Sequence, residues 1–368
     1  MLVEGYATSE GTARYHQRHA ERLPGHYRQS QGLWISSIGL GTYLGDPTQE
    51  LDAQYAETAV LAARAGVNVF DTAVNYRHMH SERAIGRAIA EMISSGTAQR
   101  DEILLATKGG FLSYDGKEPA DPSAYFQEKL VKRGLVKPEE IVAGCHTLAP
   151  RYLDNQIDVS RGNLGVRTID IYYLHNPETQ LGEVSRDEFL RRLRPAMAVL
   201  EQAVANSSIR MYGAATWNGF RVQPDSQEAI SLEEILGLAR EVGGQKHHFR
   251  AIQLPFNVVM PEALSTSTQT SNGRLVPLLQ VAREHGMMVF SSASLLQGHL
   301  AGGLPAGFQQ WIPGLASDAQ RAIQFVRSTP GITCALVGMS SREHLAENVG
   351  TASQPPLSLP EYRKMFQK

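Results

Sequence analysis

Residues 69–76 read Val-Phe-Asp-Thr-Ala-Val-Asn-Tyr, a short apolar run that ends in a carboxylate, with a phenol a few residues beyond it. Two later apolar runs end in the same manner, since residues 103–108 close on an amine and residues 169–175 close on an imidazole. Short runs rich in β-branched and aliphatic residues are typical of buried strands. Because the polar groups lie at the ends of three separate strands, we expect them to share one pocket.

The composition indicates a soluble globular protein. The 368 residues are 42% hydrophobic, and 35 basic side chains are balanced by 37 acidic ones, so we expect neither nucleic acid nor a membrane as a partner. No apolar run reaches the roughly 18 residues of a membrane span, and the polar first residues do not resemble a secretory signal, which predicts a cytoplasmic location. Cys145 and Cys334 are far apart in the chain, which predicts buried reduced thiols and no zinc site.

The order of the elements predicts an α/β fold with a single barrel. Short apolar runs alternate with amphipathic segments as in parallel βαβ units, and eight such units favour a closed (β/α)8 TIM barrel over an open sheet. The predicted strands are residues 35–41, 67–72, 103–108, 169–175, 209–214, 251–254, 288–291 and 333–337. Residues 1–30 are predicted to form an N-terminal extension and residues 31–368 one barrel domain. Residues 109–137 and 260–272 are predicted to be loops over the active face.

The polar residues at the strand ends suit proton transfer to a carbonyl oxygen. A free tyrosine, with a pKa of ~10, is a weak acid at neutral pH, and the ammonium of Lys108 would lower the pKa of Tyr76. The carboxylate of Asp71 would keep a buried lysine charged. His175 would then hold the carbonyl oxygen by a hydrogen bond. No side chain donates hydride, so this chemistry requires a nicotinamide cofactor.

The motifs of the chain, in their order, resemble those of the aldo-keto reductase superfamily over nearly the whole sequence. The matching motifs are Asp71-Thr72-Ala73, Tyr76, Ser81-Glu82, Ile85-Gly86, Lys108 and Leu174-His175. The resemblance implies a catalytic tetrad of Asp71, Tyr76, Lys108 and His175. In that tetrad Tyr76 is the general acid in reduction and the general base in the reverse direction.

The same resemblance implies a site for NADP, with NAD as the second choice. The implied cofactor-binding residues are Gly41, Thr42, Thr216, Gln253, Ser292, Leu295, Gly298, Gly338, Ser340, Arg342, Glu347 and Asn348. Thr216 and Gln253 would hold the nicotinamide carboxamide, and Ser292 stands where relatives often carry a stacking aromatic residue. Arg342, near a helix N-terminus, would favour a 2′-phosphate and hence NADP.

Several residues allow a second interpretation. Taken singly, Asp71 could cap a helix, and Lys108 could be a surface residue. The side chains of Tyr43, Phe111, Trp217 and His80 could line the substrate pocket or simply cap the barrel core. We expect His146 to be structural or to lie on the surface. The bulky loop at residues 77–80 would suit a polar or anionic substrate, although a solvated loop explains it equally well.

The predicted function is NAD(P)H-dependent interconversion of an aldehyde or ketone, sugar-derived carbonyls included, and its alcohol. One alternative is a nucleotide-binding, redox-sensing subunit with slow or vestigial reductase activity, like the potassium-channel β-subunits. Another is a metal-dependent barrel enzyme that uses Asp71 and His175, with His78 and His80 nearby. We expect no metal, because Lys108 would compete for the position of the cation. The substrate and the oligomeric state stay open.

Overall fold

The computed structural model describes residues 2–305 and 307–366, and the predicted (β/α)8 barrel is confirmed within them. The strands of these residues are β1 (Tyr27–Ser30), β2 (Leu33–Ser36), β3 (Ile38–Gly41), β4 (Val69–Asp71), β5 (Leu104–Gly109), β6 (Ile169–His175), β7 (Ile209–Ala215), β8 (Phe249–Pro255), β9 (Ser267–Ser271), β10 (Arg274–Pro277), β11 (Met288–Ser292) and β12 (Cys334–Gly338). A closed parallel barrel is formed by β3 to β8, β11 and β12, and the pairing of β12 with β3 completes the ring.

Helices surround this barrel. The α-helices of the described residues are α1 (Ser9–His19), α2 (Gln49–Ala65), α3 (His80–Ser94), α4 (Pro122–Phe126), α5 (Pro150–Leu164), α6 (Arg186–Ala205), α7 (Leu232–Gly243), α8 (Glu262–Ser265), α9 (Leu278–Glu284), α10 (Phe308–Trp311), α11 (Asp318–Ser328), α12 (Arg342–Gly350) and α13 (Leu359–Lys364). Local signals set the ends of α2, where the Thr48 side chain accepts a hydrogen bond from an amide of the first turn, and Gly66 ends the helix at a φ of 104°. Over the described ranges, the search for a helix long and apolar enough to cross a membrane found none.

The first predicted strand is two separate strands in the structure. Residues 35–41 were expected to be continuous, but β2 ends at Ser36 and the barrel strand β3 begins at Ile38. The cause is the side chain of Asn68, whose Oδ1 accepts from the Ser36 amide at 2.9 Å and whose Nδ2 donates to the Trp34 carbonyl at 2.9 Å. These bonds replace ladder partners at that point, so the chain leaves one sheet and enters another.

The N-terminal end of the barrel is closed by residues 2–36. Tyr15 of α1 is fully buried and donates to the Val67 carbonyl at 2.9 Å, and the amide of Ala7 donates to Asp170 Oδ1 at 2.7 Å. The predicted boundary after residue 30 falls between β1 and β2, which form an antiparallel hairpin. The division into residues 1–30 and 31–368 stays a prediction, and residues 1, 306, 367 and 368 lie outside the described part of the chain.

The two long loops differ from each other. Residues 109–137 contain α4 and a π-helical turn at Gln127–Val131 and are otherwise irregular. Residues 260–272 were predicted to be a loop, and this was wrong, because they form α8 and the strand β9, which pack against α7 and α9. Thr268 Oγ1 donates to the Phe220 carbonyl at 3.1 Å. The Ser/Thr/Gln run is therefore in part a half-buried strand.

Apolar side chains fill the interior of the barrel toward its N-terminal end. Leu33 and Ile35 of β2 belong to the same buried cluster as Val69, Leu104 and Ile171 of the barrel strands. Cys334 is a buried free thiol of this cluster, as predicted, whereas the free thiol of Cys145 is only half-buried. With one end packed in this way, the polar strand ends face the opposite, carboxyl-terminal mouth, where barrel enzymes place their chemistry.

Candidate active site

Three strand ends bring the predicted tetrad together. Asp71 is the last residue of β4, Lys108 is next to last in β5, and His175 is the last residue of β6. Tyr76 begins the 3-10 turn that follows β4. Because β4, β5 and β6 are neighbours in the barrel, their ends present these side chains to one space.

Lys108 and Asp71 form a buried ion pair at the bottom of that space. Lys108 Nζ lies 2.6 Å from Asp71 Oδ1 and donates to the Thr72 carbonyl at 2.8 Å. Gln253 Nε2 donates to Asp71 Oδ2 at 2.7 Å, so both carboxylate oxygens are engaged. Burial disfavours the charged amine, but Asp71 and Tyr76 outweigh that effect and raise the pKa of Lys108. The ammonium is therefore charged at neutral pH.

Tyr76 lies against this ammonium. Lys108 Nζ is 4.7 Å from the centroid of the Tyr76 ring. Burial raises the pKa of Tyr76, and Lys108 lowers it by less, so the net pKa is above that of a free tyrosine. The expectation of a lowered pKa for Tyr76 is thus not met. The phenol is protonated at neutral pH, which is the state required of a proton donor.

His175 is held as a neutral imidazole beside the phenol. Its ring lies edge-on to Tyr76 at 5.7 Å and to Phe111 at 5.0 Å between centroids. Burial, with a contribution from the charge of Lys108, brings the pKa of His175 well below its usual value. A neutral imidazole offers one N–H and one acceptor nitrogen, and His175 Nδ1 is buried with no hydrogen-bond partner in the described chain.

The strand end that carries His175 is fixed by His146. The Nε2 of His146 donates to the His175 carbonyl at 2.8 Å, and its Nδ1 accepts from Gln180 Nε2 at 2.9 Å. Burial lowers the pKa of His146 to about 4, which agrees with the single ring hydrogen that these two bonds require. The structural role expected of His146 fits this placement.

A cleft of about 440 Å³ opens from Tyr76 and Asp71 toward the end of β12 and the start of α12. Ten of the residues expected to bind cofactor line it: Gly41, Thr42, Gln253, Ser292, Leu295, Gly298, Gly338, Ser340, Glu347 and Asn348. Tyr55 and Leu44 line it as well, and the sequence did not indicate them. Tyr55 and Leu44 carried no motif that could have identified them.

Two buried polar atoms, one in the cleft and one beside it, suit the binding of a dinucleotide. Asn348 Oδ1 at one end and Thr216 Oγ1 near the tetrad are buried without a hydrogen-bond partner among residues 2–305 and 307–366. At Leu295 to Gly298 the backbone passes into the left-handed region, with φ of 47° at Leu296 and 54° at Gln297. The amides of Leu296 and Gly298 in this turn already donate to the carbonyls of Ala293 at 2.7 Å and Leu295 at 2.9 Å.

Two of the expected cofactor residues do not line the cleft. Thr216 is buried beside it, its amide bonded to the Gln253 carbonyl at 2.8 Å. The side chain of Arg342 is largely exposed and forms an ion pair with Glu57 of α2. The cation that was expected to meet a 2′-phosphate is therefore paired with a carboxylate.

The candidate pocket walls divide into two groups. Tyr43 lines the cleft and lies edge-on to Tyr76 at 5.1 Å, and Phe111 contacts His175, whereas Trp217 is exposed at the mouth. His80 does not belong to this wall, because its ring is bonded to Asp52 and to the Gly116 carbonyl. No group of His, Cys, Asp and Glu that could hold a metal was found among the described residues.

The model of the aldo/keto reductase family matches residues 37–243, more than half of the chain. The chain therefore belongs to the aldo/keto reductase family, and it is an oxidoreductase of carbonyl or alcohol groups.

Individual relatives are more distant. The chain is 25% identical, over 77% of its length and 69% of the relative's, to the NADH-specific methylglyoxal reductase of Escherichia coli (strain K12). It is 21% identical, over 89% of its length and 88% of the relative's, to a putative voltage-gated potassium channel subunit beta of Schizosaccharomyces pombe.

Solved structures share the fold at lower identity. An aldo/keto reductase from Klebsiella pneumoniae in complex with NADP and acetate superposes with a TM-score of 0.60 at 19% identity, covering 93% of this chain and 94% of that one. The glycerol dehydrogenase of Gluconobacter oxydans superposes with a TM-score of 0.64 at 17% identity, covering 94% and 95%.

Proposed function

We propose that this protein interconverts an aldehyde or ketone, sugar-derived carbonyls included, and the corresponding alcohol with a nicotinamide cofactor. The observation that carries the proposal is the convergence of Tyr76, Lys108, Asp71 and His175 at one end of a long cleft. A protonated phenol beside a fixed ammonium is suited to general acid catalysis.

In this proposal, each residue of the tetrad has one role. Tyr76 donates its proton to the carbonyl oxygen in reduction and accepts it in oxidation. Lys108 stabilises the phenolate that remains, and Asp71 keeps Lys108 charged and in place. The neutral His175 donates one hydrogen bond to the carbonyl oxygen and orients it. The bound nicotinamide supplies or accepts the hydride that no side chain can provide.

NADP is the proposed cofactor, with NAD as the second choice. Thr216 would hydrogen-bond the nicotinamide carboxamide, since its hydroxyl is buried without a partner in the described chain. Asn348, whose Oδ1 has no partner in the described chain, would hold the adenine. The similar Klebsiella enzyme was crystallised with NADP, whereas the Escherichia coli relative is NADH-specific. Arg342 would meet a 2′-phosphate only after leaving Glu57.

The test combines nucleotide binding with turnover. Titration of the fluorescence of NADPH and NADH with protein measures affinity, and a panel of small aldehydes measures kcat. Tyr76→Phe is expected to lower kcat by roughly 10²- to 10⁴-fold without changing nucleotide affinity. Tyr173→Phe is the matched control, since Tyr173 is another buried tyrosine, inside the barrel core. Absence of binding of either nucleotide, or full activity in Tyr76→Phe, contradicts the proposal.

A second candidate is a nucleotide-binding, redox-sensing subunit with slow or vestigial reductase activity. The similarity to the Schizosaccharomyces pombe channel subunit, which extends over 89% of this chain, favours it. Stopped-flow mixing with an aldehyde separates the two. A single rapid oxidation of bound NADPH followed by very slow turnover supports the sensing subunit, whereas steady multiple turnover supports the enzyme.

A further inference from the structure

The loop that follows Tyr76 has an unusual backbone. Arg77, His78 and Met79 have φ values of 51°, 54° and 71°. Non-glycine residues adopt this left-handed region as isolated residues, and at a cost, because Cβ crowds the backbone. Three in succession persist only where neighbouring groups hold them.

Those neighbouring groups meet at Asp52 of α2. Asp52 Oδ1 accepts from an Arg77 guanidinium nitrogen at 2.7 Å, and Asp52 Oδ2 lies 2.6 Å from His80 Nδ1. The side chains of Arg77 and Asp52 are 1% and 5% exposed, so water does not compete for this pair. Arg87 of α3 is the other charged group nearby, 3.7 Å from Asp52 Oδ2.

The ring of His80 is held through both of its nitrogens. His80 Nε2 is bonded to the Gly116 carbonyl at 2.9 Å, and a carbonyl oxygen can only accept, so Nε2 carries a hydrogen. The other ring nitrogen, Nδ1, lies 2.6 Å from Asp52 Oδ2. His80 therefore ties α2 to the loop after β5.

Arg77 extends the same connection to the wall of the cleft. Its Nε donates to the Asp46 carbonyl at 3.0 Å, and its guanidinium lies 5.3 Å from the centroid of the Tyr55 ring. The Tyr55 hydroxyl in turn donates to the Leu44 carbonyl at 3.0 Å. Since Tyr55 and Leu44 both line the cleft, one carboxylate connects the loop of Tyr76 with the cofactor side of the site.

We propose that Asp52 is a positioning residue for Tyr76. By binding Arg77 and His80 together, it holds the strained loop so that the phenol stays against Lys108. The proposal rests on the proposed function, in which Tyr76 transfers the proton. It also means that Arg77 and His80 serve this anchor and not an anionic substrate.

The test compares Asp52→Asn with Asp170→Asn. Asp170 forms a second buried Asp–Arg pair, with Arg100 at 2.8 Å, at the opposite end of the barrel. Both variants are expected to melt at a lower temperature than the wild type. Asp52→Asn is expected to lower kcat roughly 10- to 100-fold, the effect of a small misplacement of a reacting group, with KM and nucleotide affinity unchanged. Asp170→Asn is expected to leave kcat unchanged.

A spectroscopic titration tests the same point without turnover. The ultraviolet difference between each protein and its Tyr76→Phe form reports the ionisation of Tyr76 alone. In Asp52→Asn the phenol loses the nearby ammonium, so its ionisation is expected to move to higher pH, whereas in Asp170→Asn it is expected to stay at the wild-type position.

His80→Gln repeats both measurements with a milder change, should Asp52→Asn not fold. It is expected to shift the Tyr76 ionisation in the same direction. An unshifted ionisation, or equal kcat losses in Asp52→Asn and Asp170→Asn, would overturn the proposal. A wild-type protein that turns over no carbonyl would count against the proposed function, and the titration would still decide the role of Asp52.

Discussion

Two sets of buried polar groups, one at each end of the barrel, are bonded in different ways. At the N-terminal end, Asp170 accepts from the amides of Ala7 at 2.7 Å and Leu105 at 2.8 Å and from Arg100 at 2.8 Å. At the carboxyl-terminal end, Thr216 Oγ1 and His175 Nδ1 are buried with no partner in the part of the chain that the structure describes.

The contrast separates stability from function within one fold. An unsatisfied buried polar atom costs about 1–3 kcal/mol. The unsatisfied atoms of Thr216 and His175 therefore reduce the stability of the folded protein. Sites that must bind a polar ligand keep such groups available, and the rest of the protein compensates for their cost. Substitutions at the two ends should therefore separate stability from binding.

The largest expected effect on stability lies at the N-terminal end. Asp170→Ala would leave two buried amides without an acceptor, and it would remove the carboxylate that pairs with Arg100, whose guanidinium would keep only the Ile103 and Thr168 carbonyls. We expect the free energy of unfolding to fall by about 3–5 kcal/mol, measured by urea denaturation. The kcat of the folded fraction should match the wild type, and a lower kcat would show that the two ends are not independent.

The next largest effect on stability depends on pH and comes from His146, which lies directly beneath the site. The pKa of His146 is lowered to about 4 by burial, against ~6.5 in the unfolded chain. Between these pH values the unfolded chain binds a proton that the folded protein excludes. The contribution of His146 to the free energy of unfolding is therefore complete above pH 6.5 and is lost as the pH falls toward 4. The loss due to His146 is on the order of 3 kcal/mol.

His146→Gln isolates this contribution. Urea denaturation at pH 7 and at pH 4.5 should show a smaller acid-induced loss in the variant than in the wild type. Identical losses in the two proteins would mean that other buried groups, such as His26 and His175, account for the acid sensitivity.

A pair of threonines tests the unsatisfied groups directly. Thr216→Val removes a hydroxyl that has no partner in the described chain, so we expect the apo protein to gain about 1 kcal/mol. Thr168→Val, at the other end, removes a 2.7 Å hydrogen bond to the Ser207 carbonyl and should lose about 1 kcal/mol. Nucleotide affinity should fall roughly five- to tenfold in Thr216→Val alone. A destabilised Thr216→Val would show that its hydroxyl is satisfied in solution.

The sequence predicts the barrel, and it also predicts that Asp71, Lys108 and His175 lie at one end of it, because both follow from local patterns. Strand periodicity identifies β4, β5 and β6, and the residues at their carboxyl ends must face the mouth once the barrel closes. The proximity of Asp71, Lys108 and His175 can therefore be predicted without any knowledge of side-chain packing.

Long-range partners account for what the sequence could not predict. His80 points away from the pocket because Asp52, 28 residues earlier, binds it. The split of the first strand depends on Asn68, 32 residues after Ser36. Such pairs follow from the tertiary arrangement of elements, and no local periodicity encodes them.

The smallest expected effect is on nucleotide affinity, and it concerns Arg342 at the cofactor end of the cleft. Its ion pair with Glu57 is exposed, with 69% and 45% of the two side chains accessible, and such pairs contribute little and are weakened by salt. A carboxylate in a nucleotide site suits a ribose 2′-hydroxyl, whereas an arginine suits a 2′-phosphate. Glu57→Gln should therefore tighten NADPH binding roughly two- to fivefold at low salt and leave NADH binding unchanged. Glu50→Gln makes the same charge change on the same helix and should change neither affinity. Equal gains for both nucleotides would mean that Glu57 acts through general charge, and that Arg342 does not distinguish the two cofactors.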